Sequence, residues 1–315
     1  MSAIILRPAD PERDFAQLAD WFTLLEGETS TESSLKDYYT SHQSRITQQL
    51  AVDEQDNRLG FSWATRNRFN PELASIFLFV QPELRGQGIG RRLYEELLQA
   101  VTAQSFHRLR ISIWDNCPEG RAFAERRGFE ERAYEMTMAL NLDTFDDRPY
   151  ADLIARLQNE GFQFTSMEAL GDTEEAQRRL YQLNETANME TPGTDGSPAW
   201  TSFEDFQQNV CKAEWYRPAS QMVVIDTATD TWVAMSAITR FDDYAYNLFT
   251  GVDKRYRGRK LAQAVKILAL RYAREVLDVH TVRTHHNGKN LPMIAIDRKF
   301  GYIQQPGLFV MEKQL

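Results

Sequence analysis

Hydrophobic and polar positions along this chain switch between two periods. Residues 3–7 form a short apolar run closed by Pro8, which predicts a strand. In the next segment Phe15, Leu18, Ala19, Phe22 and Leu25 fall on one face at helical spacing. Residues 47–52 and 59–65 read as two strands around the turn-rich stretch DEQDN at 53–57, hence a hairpin. The run 74–80 is apolar without alternation, as expected of a strand covered on both faces. RGQGIG at 85–90 leads into a helix whose core stripe is Ile89, Leu93, Leu97 and Val101. A strand at 109–114, a short helix at 121–127 and a strand pair at 129–142 complete this half.

The second half runs through the same kinds of element. A strand is expected at 162–167, a helix at 174–183, and a hairpin from 222–226 and 232–239 around DTATD. A buried strand follows at 245–252. RGRKLA at 257–262 then opens a helix with Leu261, Val265, Leu268 and Tyr272 on one face. After a strand at 280–284, KFGY at 299–302 echoes RRGF at 126–129. Arg85 and Arg257 lie 172 residues apart, and Gly128 and Gly301 lie 173 apart. Two landmarks agreeing to within one residue define an internal repeat, and its period is too long for a solenoid. Two domains of one fold are therefore expected, residues 1–145 and 146–315, with a linker in the charged stretch DTFDDR at 143–148. The extra length of the second copy falls in 187–200, whose Pro, Gly and Asp mark a loop, either a substrate lid or a surface insertion.

Composition narrows the class. The chain has 315 residues, enough for two cores, and its 26% charged and 42% hydrophobic content is that of a folded protein. Its longest apolar stretch, 74–80, is far shorter than the ~20 residues a membrane span needs. The opening MSAIILRPADPERD has too short an apolar run for a signal peptide. Two cysteines, Cys117 and Cys211, make no disulfide framework, and no CxxC or Cys/His cluster offers a zinc site. A cytoplasmic protein without metal is expected. A net charge of −9 argues against nucleic acid as a partner and mildly favours neutral or cationic substrates.

The most informative segment is FVQPELRGQGIGRRLYEELL at 79–98. Glycines 86, 88 and 90 stand between a buried strand and an amphipathic helix, where they let the backbone take positive φ and approach a ligand closely. Successive N–H groups at the positive end of a helix dipole make a diphosphate site, and Arg85, Arg91 and Arg92 add charge around it. Other phosphate motifs fail on spacing. A dinucleotide GxGxxG needs glycine where Arg91 or Leu93 stands, and a GxxxxGK[ST] loop fails at Arg91 too. A kinase glycine loop joins two strands, whereas here a helix follows.

With those residues in place, the sequence resembles the GNAT superfamily of acyl-CoA-dependent N-acetyltransferases. The motif [RQ]-x-x-G-x-[GA] is met by Arg85, Gly88 and Gly90, and the preceding V-x-P by Val80 and Pro82. The [FY]-x-x-x-x-G-F close is met by Phe123, Gly128 and Phe129. The resemblance spans nearly all of residues 1–142. It implies that each half is a mixed, mostly antiparallel sheet flanked by helices, an α/β (α+β) fold. It further implies that Arg85, Gly86, Gln87, Gly88, Ile89, Gly90 and Arg91 cradle the pyrophosphate of acetyl-CoA. Phe79 and Val80 would border the pantetheine arm, with Asn116 near it. The second half resembles the family with departures. Arg257, Gly258 and Ala262 fit its turn and Val252 its strand, but Lys260 replaces the central glycine and can crowd the diphosphate or contact it. THHNGKNLPMIAIDRKFGY at 284–302 resembles tandem GNAT proteins of the mycothiol-acetyltransferase kind. Thr284, Asn290, Met293, Ile296, Phe300, Gly301 and Tyr302 fit that pattern, while His286 and Asp297 stand where Asn is usual.

Acetyl transfer in this class is direct attack of an amine on a thioester, which requires a base for the amine and an acid for the departing thiolate. The acid is frequently a Tyr four residues before the glycine of the close. That position is Ala124 in the first copy and Asp297 in the second. Candidate bases are Glu72, just before the buried strand of the first copy, and Asp243, Asp297 and His286 in the second. The pair His285–His286 lacks metal-chelating spacing. The run KRYRGRK at 254–260 can neutralise CoA phosphates, contact RNA or sit in solvent. Trp200, Phe203 and Phe206 line a substrate pocket or pack a helix. The expectation is an acetyl-CoA-dependent N-acetyltransferase acting on a small-molecule amine, monomer or homodimer, with the first half the better cofactor binder. The rival is a regulatory protein that holds acyl-CoA without turnover. A third reading, acyl transfer from aminoacyl-tRNA, leaves the glycine-rich turn without a purpose.

Overall fold

A computed structural model describes residues 3–27, 29–67, 70–193 and 198–315. The chain forms two units, one of Met1–Arg132 with Phe309–Leu315, the other of Ala133–Leu308. The division expected at 145/146 thus differs in two ways. The linker stretch is part of the second unit, where Leu142 and Phe145 are core residues and Asp147 pairs with Arg271 and Arg274. The last residues of the chain return to the first unit, where Met311 is core and Glu312 pairs with Arg110 at 2.7 Å. Each unit is therefore completed by a strand from the other half of the sequence.

In the first unit the elements are β1 (Ile5–Arg7), α1 (Pro11–Glu26), α2 (Glu32–His42), β2 (Ile46–Val52), β3 (Arg58–Arg66), β4 (Leu73–Val80), α3 (Ile89–Ala103), β5 (Arg108–Trp114) and α4 (Pro118–Glu125). The sheet order is β1-β2-β3-β4-β5, with the final strand of the chain, Leu308–Gln314, beside β5. Pairing is antiparallel from β1 to β4 and parallel between β4 and β5. The stripe read from the sequence places Phe15, Leu18 and Phe22 of α1 in an aromatic core with Phe61, Trp63 and Phe79. Asp10 caps α1, Pro11 opens it and Gly27, at φ 73°, closes it. Its Asp14 is fully buried, held by Arg7 at 2.6 Å and Arg58 at 2.9 Å.

In the second unit come β6 (Glu130–Asn141, inside this unit from Ala133), α5 (Ala151–Asn159), β7 (Phe162–Ser166), α6 (Glu174–Met189), α7 (Phe203–Phe206), β8 (Gln221–Asp226), β9 (Thr231–Phe241), β10 (Tyr244–Val252), α8 (Leu261–Glu275), β11 (Thr281–Asn287), α9 (Leu291–Phe300) and β12 (Ile303–Gln304). Segment 129–142 is one continuous strand rather than a pair, because nothing in EERAYEMTMALN turns the chain. The order is β7-β8-β9-β10-β11-β6, with β12 on β6. Only β10–β11 is parallel among the pairings resolved here. The loop expected at 187–200 starts inside α6 and includes 194–197, which lie outside the described residues.

Candidate active site

The two parallel pairings are short. β4 meets β5 over Leu73–Ser75, and β10 meets β11 over Ala245–Tyr246, after which no further partners join them. On that side β4 past Ser75 and β10 past Tyr246 have no strand partner among the described residues, which leaves an edge for an extended ligand, although Asn247 O accepts from Thr284 Oγ1 at 3.1 Å; their other edges stay paired to β3 and β9. In β10 the departure coincides with a bulge between Asn247 and Phe249. Asn247 is buried there and anchored, its Nδ2 donating to Ala237 O at 2.8 Å and to Ser236 Oγ at 3.1 Å.

Each open strand runs into the same turn. Arg85 Nε donates to Val80 O at 3.2 Å and Arg257 Nε to Val252 O at 3.3 Å, so the motif arginine pins the strand end in both units. Gly86 at φ 78° matches Gly258 at φ 81°, and Gly88 at φ 87° matches Lys260 at φ 66°. The lysine that replaces the central glycine keeps its left-handed backbone. A Cβ added at Gly86, Gly88 or Gly258 would meet nothing within 4 Å, so these glycines border open space. At Gly90 it would stand 3.5 Å from both Phe123 and Val80, where helix and strand close on each other.

The other first-unit residues named from the sequence have definite places. The Phe79 ring is buried against Trp21 at 5.1 Å, which leaves its backbone to face a ligand. Ile89 is buried, Gln87 and Asn116 are exposed, and Arg91 pairs with Glu95 at 3.6 Å. Arg92 donates to Ile4 O at 2.7 Å and so is committed to the fold. Glu72 is an exposed loop residue whose carbonyl accepts from His107 N and Arg108 N at 2.9 and 3.1 Å. Its backbone holds the β4–β5 junction, and no described residue bonds its carboxylate.

In the second unit the turn borders a cavity of about 290 Å³. Its walls include Thr250, Gly251 and Val252 from β10, Arg257, Gly258 and Lys260 from the turn, Leu261, Ala262 and Gln263 from α8, Asn290 before α9 and Met293 and Ile296 on it, and Ala187 and Thr191 at the end of α6. A second cavity of about 460 Å³ shares Lys260 and Gln263 and adds Tyr150, Arg156 and Lys299. The basic run around the turn is partly neutralised, since Glu190 pairs with Lys254 at 3.1 Å and Arg257 at 3.4 Å. The aromatic residues after the long loop are core. Phe203 and Phe206 bury against Tyr181, and Trp200 packs on Phe206.

His286 and Asp297, placed eleven residues apart by the sequence, meet at 2.5 Å through Nε2 and Oδ2. The other carboxylate oxygen of Asp297 lies 2.5 Å from Nζ of Lys266, and both residues are fully buried. Burial alone would push the Asp297 carboxyl up. The charge of Lys266 and the hydrogen bond from His286 outweigh it and hold the group below the usual carboxylate range. Burial in turn pushes the Lys266 ammonium down, against the pull of Asp297. Tyr302 is buried beside them, its ring 5.0 Å from Lys266 Nζ. His285 faces the other way and engages Tyr246, so the adjacent histidines do not act together. Asp243 is an exposed turn residue. Among the described residues no group of three or more His, Cys, Asp or Glu is placed to hold a metal, and no helix is long and apolar enough to cross a membrane.

Comparison with known proteins bears on the family and the fold. The profile of the acetyltransferase (GNAT) family matches residues 15–129. Among solved structures, a GCN5-related N-acetyltransferase from Sphaerobacter thermophilus aligns over 99% of this chain and 95% of its own, with TM-score 0.72 and 15% identity. A tandem GNAT protein from the clavulanic acid biosynthesis pathway aligns over 99% and 98%, with TM-score 0.68 and 18% identity. A glucosamine N-acetyltransferase region of a fungal multi-domain β-N-acetylglucosaminidase reaches TM-score 0.75 at 12% identity, with 38% of that longer chain covered. No curated protein matches in sequence. Residues 15–129 thus match the GNAT family. The chain as a whole has the fold of tandem GNAT proteins.

Proposed function

We propose that this protein is an acetyl-CoA-dependent N-acetyltransferase of a small-molecule amine, and that its second unit carries the reaction. The observation that carries this reading is the cavity at the left-handed turn of the second unit, with a buried His–Asp–Lys cluster beside it. The residues present fit the cofactor. Gly258 borders open space, Lys260 and Arg257 are cations at the helix entry, and the open edge of β10 offers amide partners for an extended arm. The cavity with Arg156 and Lys299 is contiguous through Lys260 and suits the charged nucleotide end.

Bound there, acetyl-CoA would supply an activated acetyl group. In the overall reaction a C–N bond forms as the C–S bond breaks. The ammonium gives up two protons, one ending on the departing sulfur and one in solvent. His286 is the group that handles a proton on the amine side, and β10 backbone N–H groups polarise the carbonyl.

The first unit suits a different role. Its turn has the glycines of the motif, but the positions matching His286 and Asp297 are Ile113 and Ala124. A cofactor held there would be bound without turnover, which applies the regulatory reading to that unit alone. The test is thiol release from acetyl-CoA with a panel of small amines. Release is expected to persist in Gly88→Glu and to be lost in Gly258→Glu. Loss in Gly88→Glu alone would move the reaction to the first unit, and no release from the parent protein would refute catalysis.

A further inference from the structure

We infer that Lys266 is a positioning residue: its buried ammonium is the counter-charge of Asp297, and Asp297 thereby holds the His286 ring by Nε2, which leaves Nδ1 for the reaction. This rests on the reading of the second unit as the catalytic one. The argument begins with the internal repeat. With the offset of 172 at the turn and 173 at the close, Lys266 matches Tyr94, His286 matches Ile113, Asp297 matches Ala124 and Tyr302 matches Phe129. Those four first-unit residues lie together in one apolar cluster. The fold therefore closes this corner without charges. A buried ion pair is weak evidence for stability, since well-packed apolar residues do the same work at least as well. Its presence in one copy alone points to a task specific to that copy.

Placement supplies the task. Lys266 lies one helical turn along α8 from Ala262, and Asp297 one turn along α9 from Met293, and both Ala262 and Met293 line the cavity. His286 stands on β11 beyond the point where that strand leaves β10. The cluster thus lies one helical turn behind the residues that line the cavity. Charged and titratable groups come to this cluster from several elements. α8 contributes Lys266, α9 contributes Asp297, the segment after α9 contributes Tyr302, and β6 places Met136 opposite. His285 and its partner Tyr246 are on the other face.

Charge balance then sets the state of the ring. One carboxylate is bracketed by two nitrogens, and the Lys266 cation alone balances it. The imidazole can therefore donate Nε2–H while neutral, which leaves the Nδ1 lone pair to accept a proton from the amine. Without Lys266 the imidazole is the one nitrogen left against the Asp297 carboxylate.

The experiment is nitrogen-15 NMR of the histidine side chains in the intact protein at neutral pH, with His286 assigned by difference from His286→Gln. The wild type is expected to show His286 as the neutral Nε2–H tautomer, and an imidazolium or an Nδ1–H tautomer there overturns the proposal without any variant. Lys266→Met, which keeps an unbranched chain one atom shorter and removes the charge, is expected to show the doubly protonated ring. Its kcat/KM should fall at least tenfold at neutral pH, with the acid limb of the pH profile moved to higher pH. A uniform loss of rate with an unmoved profile and tautomer would mean Lys266 is structural only. If the wild type releases no thiol with any amine, the reading of function fails by itself, and the two spectra still decide the role of Lys266.

Discussion

Replacing Lys260 by glycine separates stability from binding at one position. At φ 66° an L-residue bears a cost of about 1–2 kcal/mol for its left-handed backbone. Glycine there removes that cost but has more freedom to lose on folding, about 0.5–1 kcal/mol. Lys260→Gly should therefore stabilise the second unit by roughly 0.5–1 kcal/mol, and the first unit already has glycine at the matching Gly88. The lysine also lines both cavities at the turn. A charge-assisted hydrogen bond from it to a phosphate is worth about 1.5–3 kcal/mol, so its loss should weaken acetyl-CoA binding to that unit by about 10–100-fold. Urea unfolding followed by fluorescence reads the first effect, and calorimetry at two salt concentrations reads the second. The salt dependence should become shallower as one cation leaves the site. Unchanged affinity, or a loss of stability, would refute the view that a strained lysine is retained here for its charge.

Three further outcomes are expected. Gly88→Glu should remove cofactor binding from the first unit, since the added carboxylate enters open space beside the turn and repels a diphosphate; calorimetry counts the lost site. Gly251→Ala should destabilise the second unit by about 1–3 kcal/mol, because the new Cβ would stand 2.6 Å from both Ala187 Cβ and the Phe249 ring; thermal unfolding measures it. Asp14 governs acid stability of the first unit. Burial alone would raise its carboxyl, but bonds from Arg7, the Asp10 amide and Arg58 outweigh this and lower it from 3.8 to about 2. That depression corresponds to about 2.4 kcal/mol, present above pH ~4 and lost as pH falls towards ~2. Asp14→Asn should remove it and flatten that window in a pH series of urea unfolding.

Much of the architecture was legible because it is written locally. The α1 stripe, both hairpins and both turns came from periodicity and glycine placement, and the repeat offset from two landmarks. Helix α2 was missed because only Leu35 on it is buried, so no apolar face marks it; its capping box of Thr31 and Ser34 was the signal available. The exchange of final strands had no local signature, since the partner of a strand is a tertiary choice made by burial of residues such as Leu140 and Met311. His286 and Asp297 were named as separate candidates, and the structure joins them. Lys266 was passed over because a lysine within a helix reads as solvated. Aligning the repeats would have found it, since it falls where the first copy buries Tyr94.

Calorimetric titration of the intact protein with acetyl-CoA, with Gly88→Glu in parallel, tests the central claim most directly. Two equivalents should bind the parent protein and one the variant, with thiol release to an amine surviving the substitution. Binding of a single equivalent that Gly88→Glu abolishes together with all thiol release would contradict the assignment of chemistry to the second unit.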